Sequence, residues 1–239
     1  MTDTRIVGLI TSLTPARIAV SRAGTRPKTC DWLKFRCDHA SARDAVHSEL
    51  SVKFLEPFVA NGTPVIQSLA TDRRDYILFP QKGKRASDEV IAALKQKCSK
   101  AHDVQIVVSD GLSARAAEEN AHDMLAILGD GLELEGISSG TLVIAKLARV
   151  AIGDQIAHAL GAKIVVNLIG ERPGLTSAAS MSAYITYNPG PQTISSDRTV
   201  VSNIHKGGTP CVEAGAYVTK LIKTMLEVKV SGVRLQQLS

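Results

Sequence analysis

Three polar segments that contain glycine carry the side chains best suited to chemistry or binding. Ser109–Ser113 offers two hydroxyl groups and the carboxylate of Asp110, and Gly170–Leu175 places the Glu171 carboxylate beside the Arg172 guanidinium group. The third segment, Asn203–Pro210, leads backbone amides, a histidine and a lysine into the start of a predicted helix. This last arrangement suits an anion or a phosphate group, because unpaired N–H groups at a helix N-terminus attract negative charge.

Each segment also has a structural interpretation. A Ser-Asp-Gly turn followed by Ser113 as a helix cap would have the same sequence without any ligand. Glu171 and Arg172 could close a turn as a local ion pair, although the glycines and proline around them favour a binding role. In that role Glu171 would accept a hydrogen bond from a ligand and Arg172 would bind an anionic group. For His205 we favour a histidine hydrogen-bonded to its neighbours over a catalytic one.

The sequence contains no arrangement typical of a self-sufficient catalyst. These segments supply no general acid and base pair, no Ser-His-Asp order and no metal-ligand cluster. Neither G-x-x-x-x-G-K-[ST] nor G-x-G-x-x-G lies between a predicted strand and helix, which disfavours nucleoside triphosphates and dinucleotides as ligands. We therefore assign no catalytic or metal-binding residue, and expect a binding subunit whose chemistry resides in a cofactor or a partner.

The elements that position these segments form two regions. From Thr14 to about Phe58 apolar residues recur at helical spacing, and Asn61–Pro64 then interrupts the pattern, so we place a domain boundary between residues 62 and 63. Beyond it strands and helices alternate, which predicts an α/β fold with a doubly wound sheet. The predicted strands are Val65–Leu69, Tyr76–Phe79, Val104–Val108, Thr141–Ala148, Lys163–Ile169 and Arg198–Ser202; the predicted helices begin after a Ser87 cap, at Ala114, at Gly153 and after a Thr209 cap with Pro210 in the first position. Ligands of such sheets lie beyond the carboxyl ends of the strands, where the three polar segments fall.

Composition argues against several classes of protein. Of the 239 residues 44% are hydrophobic, with no long apolar run and no apolar segment after the N-terminus, so we expect a cytoplasmic protein without a membrane segment. The formal charge of +5 comes largely from two basic clusters, Arg22–Arg36 and Arg73–Arg85, that lack interleaved aromatic residues, so we expect no nucleic-acid partner. The four cysteines include no C-x-x-C pair, which favours reduced thiols over zinc or disulfides.

Five segments in the same order resemble the small subunit, or light chain, of ethanolamine ammonia-lyase, and the match spans about Thr14 to Val233. They are Gly24–Thr29, Asp38–Val46, Val108–Ser113, Gly170–Leu175 and Ser202–Pro210. The resemblance implies a helical N-terminal domain at residues 1–62 and a Rossmann-like domain at residues 63–239. It also implies a higher hetero-oligomer with a barrel-shaped large subunit, in which adenosylcobalamin lies between the two subunits.

The resemblance further implies a reaction and a set of contacts. Homolysis of the cobalt–carbon bond would start hydrogen abstraction from ethanolamine, ending in acetaldehyde and ammonia, with the substrate bound by the large subunit. The corrin contacts of the family carry over onto Val150, Glu171 and Val200. Some relatives have a cysteine at the position of Val200, so we expect an apolar or backbone contact there and no role for a thiol. Several relatives also carry a long N-terminal extension thought to direct them into a bacterial microcompartment. We do not expect this chain to be encapsulated in one.

Two further points bear on the resemblance. Asn203-x-His205-x-x-Gly208 differs by one residue from the D-x-H-x-x-G pattern that places histidine on cobalt in other cobalamin proteins. We do not expect His205 to bind cobalt, because asparagine lacks the carboxylate that orients a metal-bound imidazole. The alternatives are a free-standing Rossmann-like binder of nucleotides or another anion, and a basic nucleic-acid module.

Overall fold

Helices and strands alternate along most of the chain in the computed structural model, which describes residues 4–13, 18 and 20–238. In chain order the elements are α1 (Thr4–Ser12), β1 (Arg22–Ala23), β2 (Arg26–Pro27), α2 (Thr29–His47), α3 (Val52–Ala60), β3 (Val65–Gln67), α4 (Arg73–Leu78), α5 (Asp88–Lys97), β4 (Val104–Ser109), α6 (Ala114–Leu134), β5 (Val143–Lys146), α7 (Ala151–Leu160), β6 (Ile164–Gly170), β7 (Met181–Tyr187), β8 (Arg198–Ile204), α8 (Cys211–Val228) and α9 (Val233–Gln236). Short 3₁₀ helices cover Lys82–Lys84 and Ser195–Asp197. The predicted α/β class is confirmed.

Six strands form one mixed sheet in the order β3-β5-β4-β6-β7-β8. The first four are parallel, whereas β7 is antiparallel to both β6 and β8. After these two reversals β8 runs in the same direction as β6. The carboxyl ends of β3, β4, β5, β6 and β8 therefore meet at one edge of the sheet, together with the start of β7.

Apolar clusters cover both faces of this sheet. On one face α6 and α8 pack against β4, β6, β7 and β8, with Met124, Ile222 and Ile204 fully buried. On the other face α5 and α7 pack against β3, β4, β5 and β6, with Leu94 and Ile152 in the cluster. Every residue of β4 and β6 is buried, which agrees with their nearly continuous apolar sequences and their positions in the middle of the sheet.

Side-chain hydrogen bonds cap the starts of four helices: α3, α4, α5 and α6. Ser87 accepts a hydrogen bond from the Val90 N–H at 3.4 Å, and the predicted cap of α5 is confirmed. The predicted cap of α8 is wrong. Pro210 occupies the cap position without a side-chain bond and the helix begins at Cys211, so Thr209 lies one residue too early to cap it.

The predicted strand Tyr76–Phe79 is also wrong, because this segment lies in and just after α4. Asp72 caps that helix by accepting from the Asp75 N–H at 2.8 Å. Tyr76 is fully buried and donates its hydroxyl to the Ala148 carbonyl at 3.0 Å. A run of four apolar residues is too short for periodicity to distinguish a strand from a helical turn.

The N-terminal region is helical in part, and residues 14–17 and 19 of the predicted helical stretch lie outside the described residues. The hairpin of β1 and β2 precedes α2, on which Trp32 is exposed rather than packed in a local core. Leu50, Phe54 and Phe58 join the cluster of α6 and α8. The boundary between residues 62 and 63 stays a prediction. Within the described ranges, no helix combines the length and the hydropathy needed to cross a membrane.

Candidate functional site

The segment after β4, at the carboxyl edge of the sheet, has buried polar side chains. Asp110 is buried, and its carboxylate accepts from the N–H groups of Leu147 at 2.8 Å and Ala148 at 2.9 Å. Burial raises the pKa of Asp110, against these hydrogen bonds and the charge of Arg73. Leu147 has a φ of 51°, which is unusual for a residue other than glycine, and the bonds to Asp110 help to hold it there. Asp110 therefore shapes the turn that leads from β5 towards α7.

Ser113 caps α6, as its structural interpretation predicted. Its side chain accepts from the Ala116 N–H at 3.2 Å and donates to the Ala178 carbonyl at 2.8 Å. The cap is confirmed, and the polar groups of Ser109–Ser113 build the edge of the sheet.

Two glycines allow the loops after β4 and β6 to touch through their backbones. A β-carbon on Gly111 would lie 2.1 Å from the carbonyl oxygen of Gly170. One on Gly170 would lie 2.0 Å from the carbonyl oxygen of Ser113. Leu112 N–H donates to the Gly170 carbonyl at 3.0 Å. Glycine is required at both positions because no side chain fits between these loops.

Glu171 joins the end of β6 to β7 and β8. Its carboxylate accepts from the hydroxyls of Ser180 at 2.8 Å and Ser182, and from the Asn203 N–H at 3.0 Å. Arg172 is exposed and forms no ion pair with Glu171 in the described part of the chain. The local ion pair that we weighed for this turn is therefore wrong.

His205 is hydrogen-bonded to its neighbours through both ring nitrogens, as we expected. Nδ1 accepts from the Gly207 N–H at 3.1 Å, so the proton belongs on Nε2, which lies 2.9 Å from Oδ1 of Asn203. This arrangement organises the loop between β8 and α8. The described residues contain no group of three or more His, Cys, Asp or Glu side chains placed to hold a metal ion.

Val150 lies directly before α7, where this helix packs closely on β6. The carbonyl of Val150 accepts from Nδ2 of Asn167 at 3.1 Å, and Oδ1 of Asn167 accepts from Ser109 Oγ at 2.8 Å. A β-carbon on Gly153 would lie 3.1 Å from the Asn167 side chain. The start of α7 is thus fixed above the middle of β6.

Val200 belongs to a row of residues that crosses three strands on the same face as α7. Asn167 on β6 is in register with Tyr184 on β7, which is in register with Val200 on β8. Directly opposed residues of neighbouring strands project from the same face. Exposure increases along the row from 1% for Asn167 to 43% for Val200, so the cover provided by α7 ends between them.

The structure brings Val150, Glu171 and Val200 to this one side of the sheet. Val150 is bonded to Asn167 at one end of the row, and Val200 is the other end. Glu171 is bonded to Ser182, two residues before Tyr184 and hence on the same face. We call Val150, Glu171, Tyr184 and Val200 the open face. Tyr184 was missed by sequence reasoning, because only the strand register places it between the other three.

An ion pair fixes the border of the open face. Arg198 donates from Nη2 at 2.6 Å and from Nε at 3.1 Å to the same oxygen of Asp154, and both side chains are largely buried. Asp154 lies one helical turn after Val150, and Arg198 lies two residues before Val200. Burial raises the pKa of Asp154, and Arg198 opposes this rise. The pair therefore holds β8 and the start of α7 in a fixed relation.

Comparison with known proteins identifies relatives over nearly the whole chain. Residues 7–236 match the model of the family "Ethanolamine ammonia-lyase light chain (EutC)". The ethanolamine ammonia-lyase small subunit of Clostridium perfringens is 45% identical, over 93% of this chain and 75% of that protein. Those of Fusobacterium nucleatum and Clostridium acetobutylicum are 48% and 44% identical, over 92% and 94% of this chain and 73% and 92% of those proteins. The resemblance inferred from five segments is confirmed, and the chain belongs to the ethanolamine ammonia-lyase light chain (EutC) family.

Proposed function

We propose that this chain is the small subunit of an adenosylcobalamin-dependent ethanolamine ammonia-lyase and presents its open face to the cofactor at the interface with a large subunit. The observation that carries the proposal is the convergence of Val150, Glu171 and Val200 on the side of the sheet that α7 covers only in part. These three residues come from different segments of the chain, and nothing but the fold brings them together.

The chemistry of the open face fits a corrin. A corrin is a broad, largely apolar ring system with amide groups around its rim. Val150 and Val200 offer apolar surface, and Val200 is 43% exposed. A carboxylate has about four lone-pair sites, and Glu171 uses three of them within the chain, which leaves capacity for an amide N–H of the rim.

The role of this chain in the reaction is binding and orientation. Adenosylcobalamin, when bound, supplies homolysis of its cobalt–carbon bond, which starts the radical conversion of ethanolamine to acetaldehyde and ammonia. Glu171 orients the rim of the ring, and the two valines exclude water from its surface. We assign the residues that bind ethanolamine to the large subunit and no catalytic residue to this chain.

The wider architecture is part of the same proposal. We infer a Rossmann-like domain, supported by four parallel strands with helices on both faces of the sheet. We also infer a higher hetero-oligomer, because a subunit of this family requires a partner. A cytoplasmic location is supported by the exposed free thiols of Cys30 and Cys37, which suit a reducing compartment.

Ammonia release from ethanolamine in the presence of adenosylcobalamin tests the proposal. We would compare the purified chain, the large subunit and their mixture, and expect activity only in the mixture. Glu171→Ala should raise the adenosylcobalamin concentration that gives half-maximal activity about 10- to 100-fold, since a hydrogen bond to a charged group contributes about 1.5–3 kcal/mol. Glu119→Ala is the matched control, because Glu119 is exposed on α6 and pairs with Arg115.

A silent mixture would overturn the proposal. If the two proteins form no complex while this chain alone binds a nucleotide or another anion, the free-standing binder is the correct function. An unchanged cofactor requirement in Glu171→Ala, with full activity of the mixture, would keep the subunit role and remove Glu171 from the contact.

A further inference from the structure

Tyr184 occupies the centre of the open face. It is half-buried in the middle of β7, between Asn167 on β6 and Val200 on β8. The carbonyl of Val150 is bonded to Asn167, and Glu171 is bonded to Ser182, which precedes Tyr184 by two residues. Tyr184 is therefore directly opposite Val200 in the sheet, and its neighbours Asn167 and Ser182 are hydrogen-bonded to Val150 and Glu171.

The hydroxyl of Tyr184 is available to a ligand. It forms no hydrogen bond with any residue in the part of the chain that the structure describes, unlike the Tyr76 hydroxyl, which is bonded to a backbone carbonyl. Partial burial raises the pKa of Tyr184, and the nearby Glu171 charge adds to this effect. The hydroxyl thus keeps its proton at neutral pH and can donate it in a hydrogen bond.

We propose that Tyr184 is a cobalamin-binding residue whose ring forms the floor of the open face and whose hydroxyl donates to a carbonyl oxygen on the rim of the corrin. The inference rests on the proposed function. An aromatic ring contributes a large rigid contact area and tyrosine adds a polar group at its tip, which together suit a ligand with an apolar centre and a polar rim. Val150 and Val200 alone would leave the middle of the face without a contact.

Two substitutions separate the contribution of the ring from that of the hydroxyl. In the complex with the large subunit, Kd for adenosylcobalamin is measured by equilibrium dialysis. Tyr184→Phe should weaken binding about 3- to 10-fold, the loss expected for one hydrogen bond between neutral groups. Tyr184→Ala should weaken it about 30-fold or more, because the ring contact is lost as well. Tyr217→Ala is the control, since Tyr217 is exposed on α8, which covers the opposite face.

A labelling experiment on the unsubstituted complex covers the case in which a variant fails to fold. N-acetylimidazole acetylates accessible tyrosines, and mass spectrometry reports each site. Adenosylcobalamin should slow acetylation of Tyr184 severalfold and leave the rate at Tyr217 unchanged.

The outcomes distinguish this inference from the proposed function. If the unsubstituted complex binds cobalamin but Tyr184→Ala binds it equally well, or acetylation of Tyr184 ignores the cofactor, the inference is wrong and the subunit role stands. If the unsubstituted complex binds no cobalamin, the proposed function fails and the inference fails with it.

Discussion

The two faces of the sheet are covered to different extents, although the same strands form both. On the face of α6 and α8 the cover continues to β8, where Ile204 is fully buried. On the face of α5 and α7 it ends beyond β6, so that Val200 on the same β8 strand is 43% exposed. The apolar side chains of one strand thus serve stability on one face and are free for binding on the other.

This difference assigns separate roles to neighbouring residues. Substitutions beneath α6 and α8 should lower stability and leave the intrinsic affinity for the cofactor unchanged. Substitutions on the open face should weaken cofactor binding and leave stability nearly unchanged. Substitutions at the border between the covered and uncovered parts of the sheet should change both stability and cofactor affinity.

The largest effect is expected at the border, for Asp154→Ala. Arg198 would remain largely buried without its partner, which should lower the free energy of unfolding by about 3–5 kcal/mol. Denaturant unfolding of the purified chain measures this value. The double variant Asp154→Leu with Arg198→Met is the control and should be close to the unsubstituted chain, because an apolar pair leaves no charge unpaired. A loss below about 1 kcal/mol in Asp154→Ala would mean that the pair does not fix this border.

A similar or somewhat smaller loss of stability is expected on the covered face, for Ile222→Ala. Ile222 is fully buried in the cluster of α6 and α8, and a cavity there should cost about 2–5 kcal/mol in unfolding free energy. Val212→Ala on the same helix removes a side chain that is 64% exposed and should change stability by no more than about 0.5 kcal/mol. If folded Ile222→Ala bound cobalamin more weakly in the complex, the separation between the faces would be incorrect.

The ion pair between Lys163 and Asp103, which lies away from both faces, should contribute less to the free energy of unfolding. Its contribution should also depend on pH. Hydrogen bonds from Lys163 and Ser138 lower the pKa of Asp103 from 3.8 to about 2. Because the pKa in the folded chain is below the unfolded value, the contribution is present above about pH 4 and is lost as pH falls towards 2. Asp103→Asn should therefore lower the unfolding free energy by up to about 1 kcal/mol near pH 6. Unfolding curves of the two proteins should converge towards pH 2, and a constant difference at every pH would contradict this assignment.

The smallest effect on stability is expected on the open face, for Val200→Ala. The unfolding free energy should change by no more than about 0.5 kcal/mol, as for other exposed positions. Binding of cobalamin to the complex should weaken measurably, because apolar contact area is removed from the ligand. Val228→Ala is the matched control, with 40% exposure at the end of α8. A loss above about 2 kcal/mol in Val200→Ala would show that this side chain packs as part of a core.

Sequence reasoning succeeded where a local pattern determines the structure. The apolar runs of β4 and β6 predict buried strands because central parallel strands are covered on both faces. Ser87 and Ser113 predict helix starts because each hydroxyl satisfies an N–H group of the first turn. The polar loops after these strands were expected at the carboxyl edge, where they lie.

It failed where the structure depends on contacts between distant segments. Tyr76 lies in a helix rather than a strand, and its ring packs against the guanidinium groups of Arg73 and Arg149. Glu171 accepts from the hydroxyls of Ser180, just before β7, and Ser182, within β7, and from a backbone amide of β8, which no local pattern indicates. The position of Tyr184 follows only from the registers of three strands. Val150 was predicted only from the family resemblance. Its carbonyl accepts a hydrogen bond from Asn167 on β6, which lies 17 residues later in the chain.

The most direct test of the central claim is the chemical accessibility of position 200 in the complex with the large subunit. Val200→Cys and, as control, Val228→Cys would be placed in a chain whose exposed Cys30 and Cys37 are replaced by serine. We predict that adenosylcobalamin slows maleimide labelling at position 200 at least severalfold and leaves position 228 unchanged. Equal labelling at position 200 with and without bound cofactor would contradict the assignment of the open face to cobalamin.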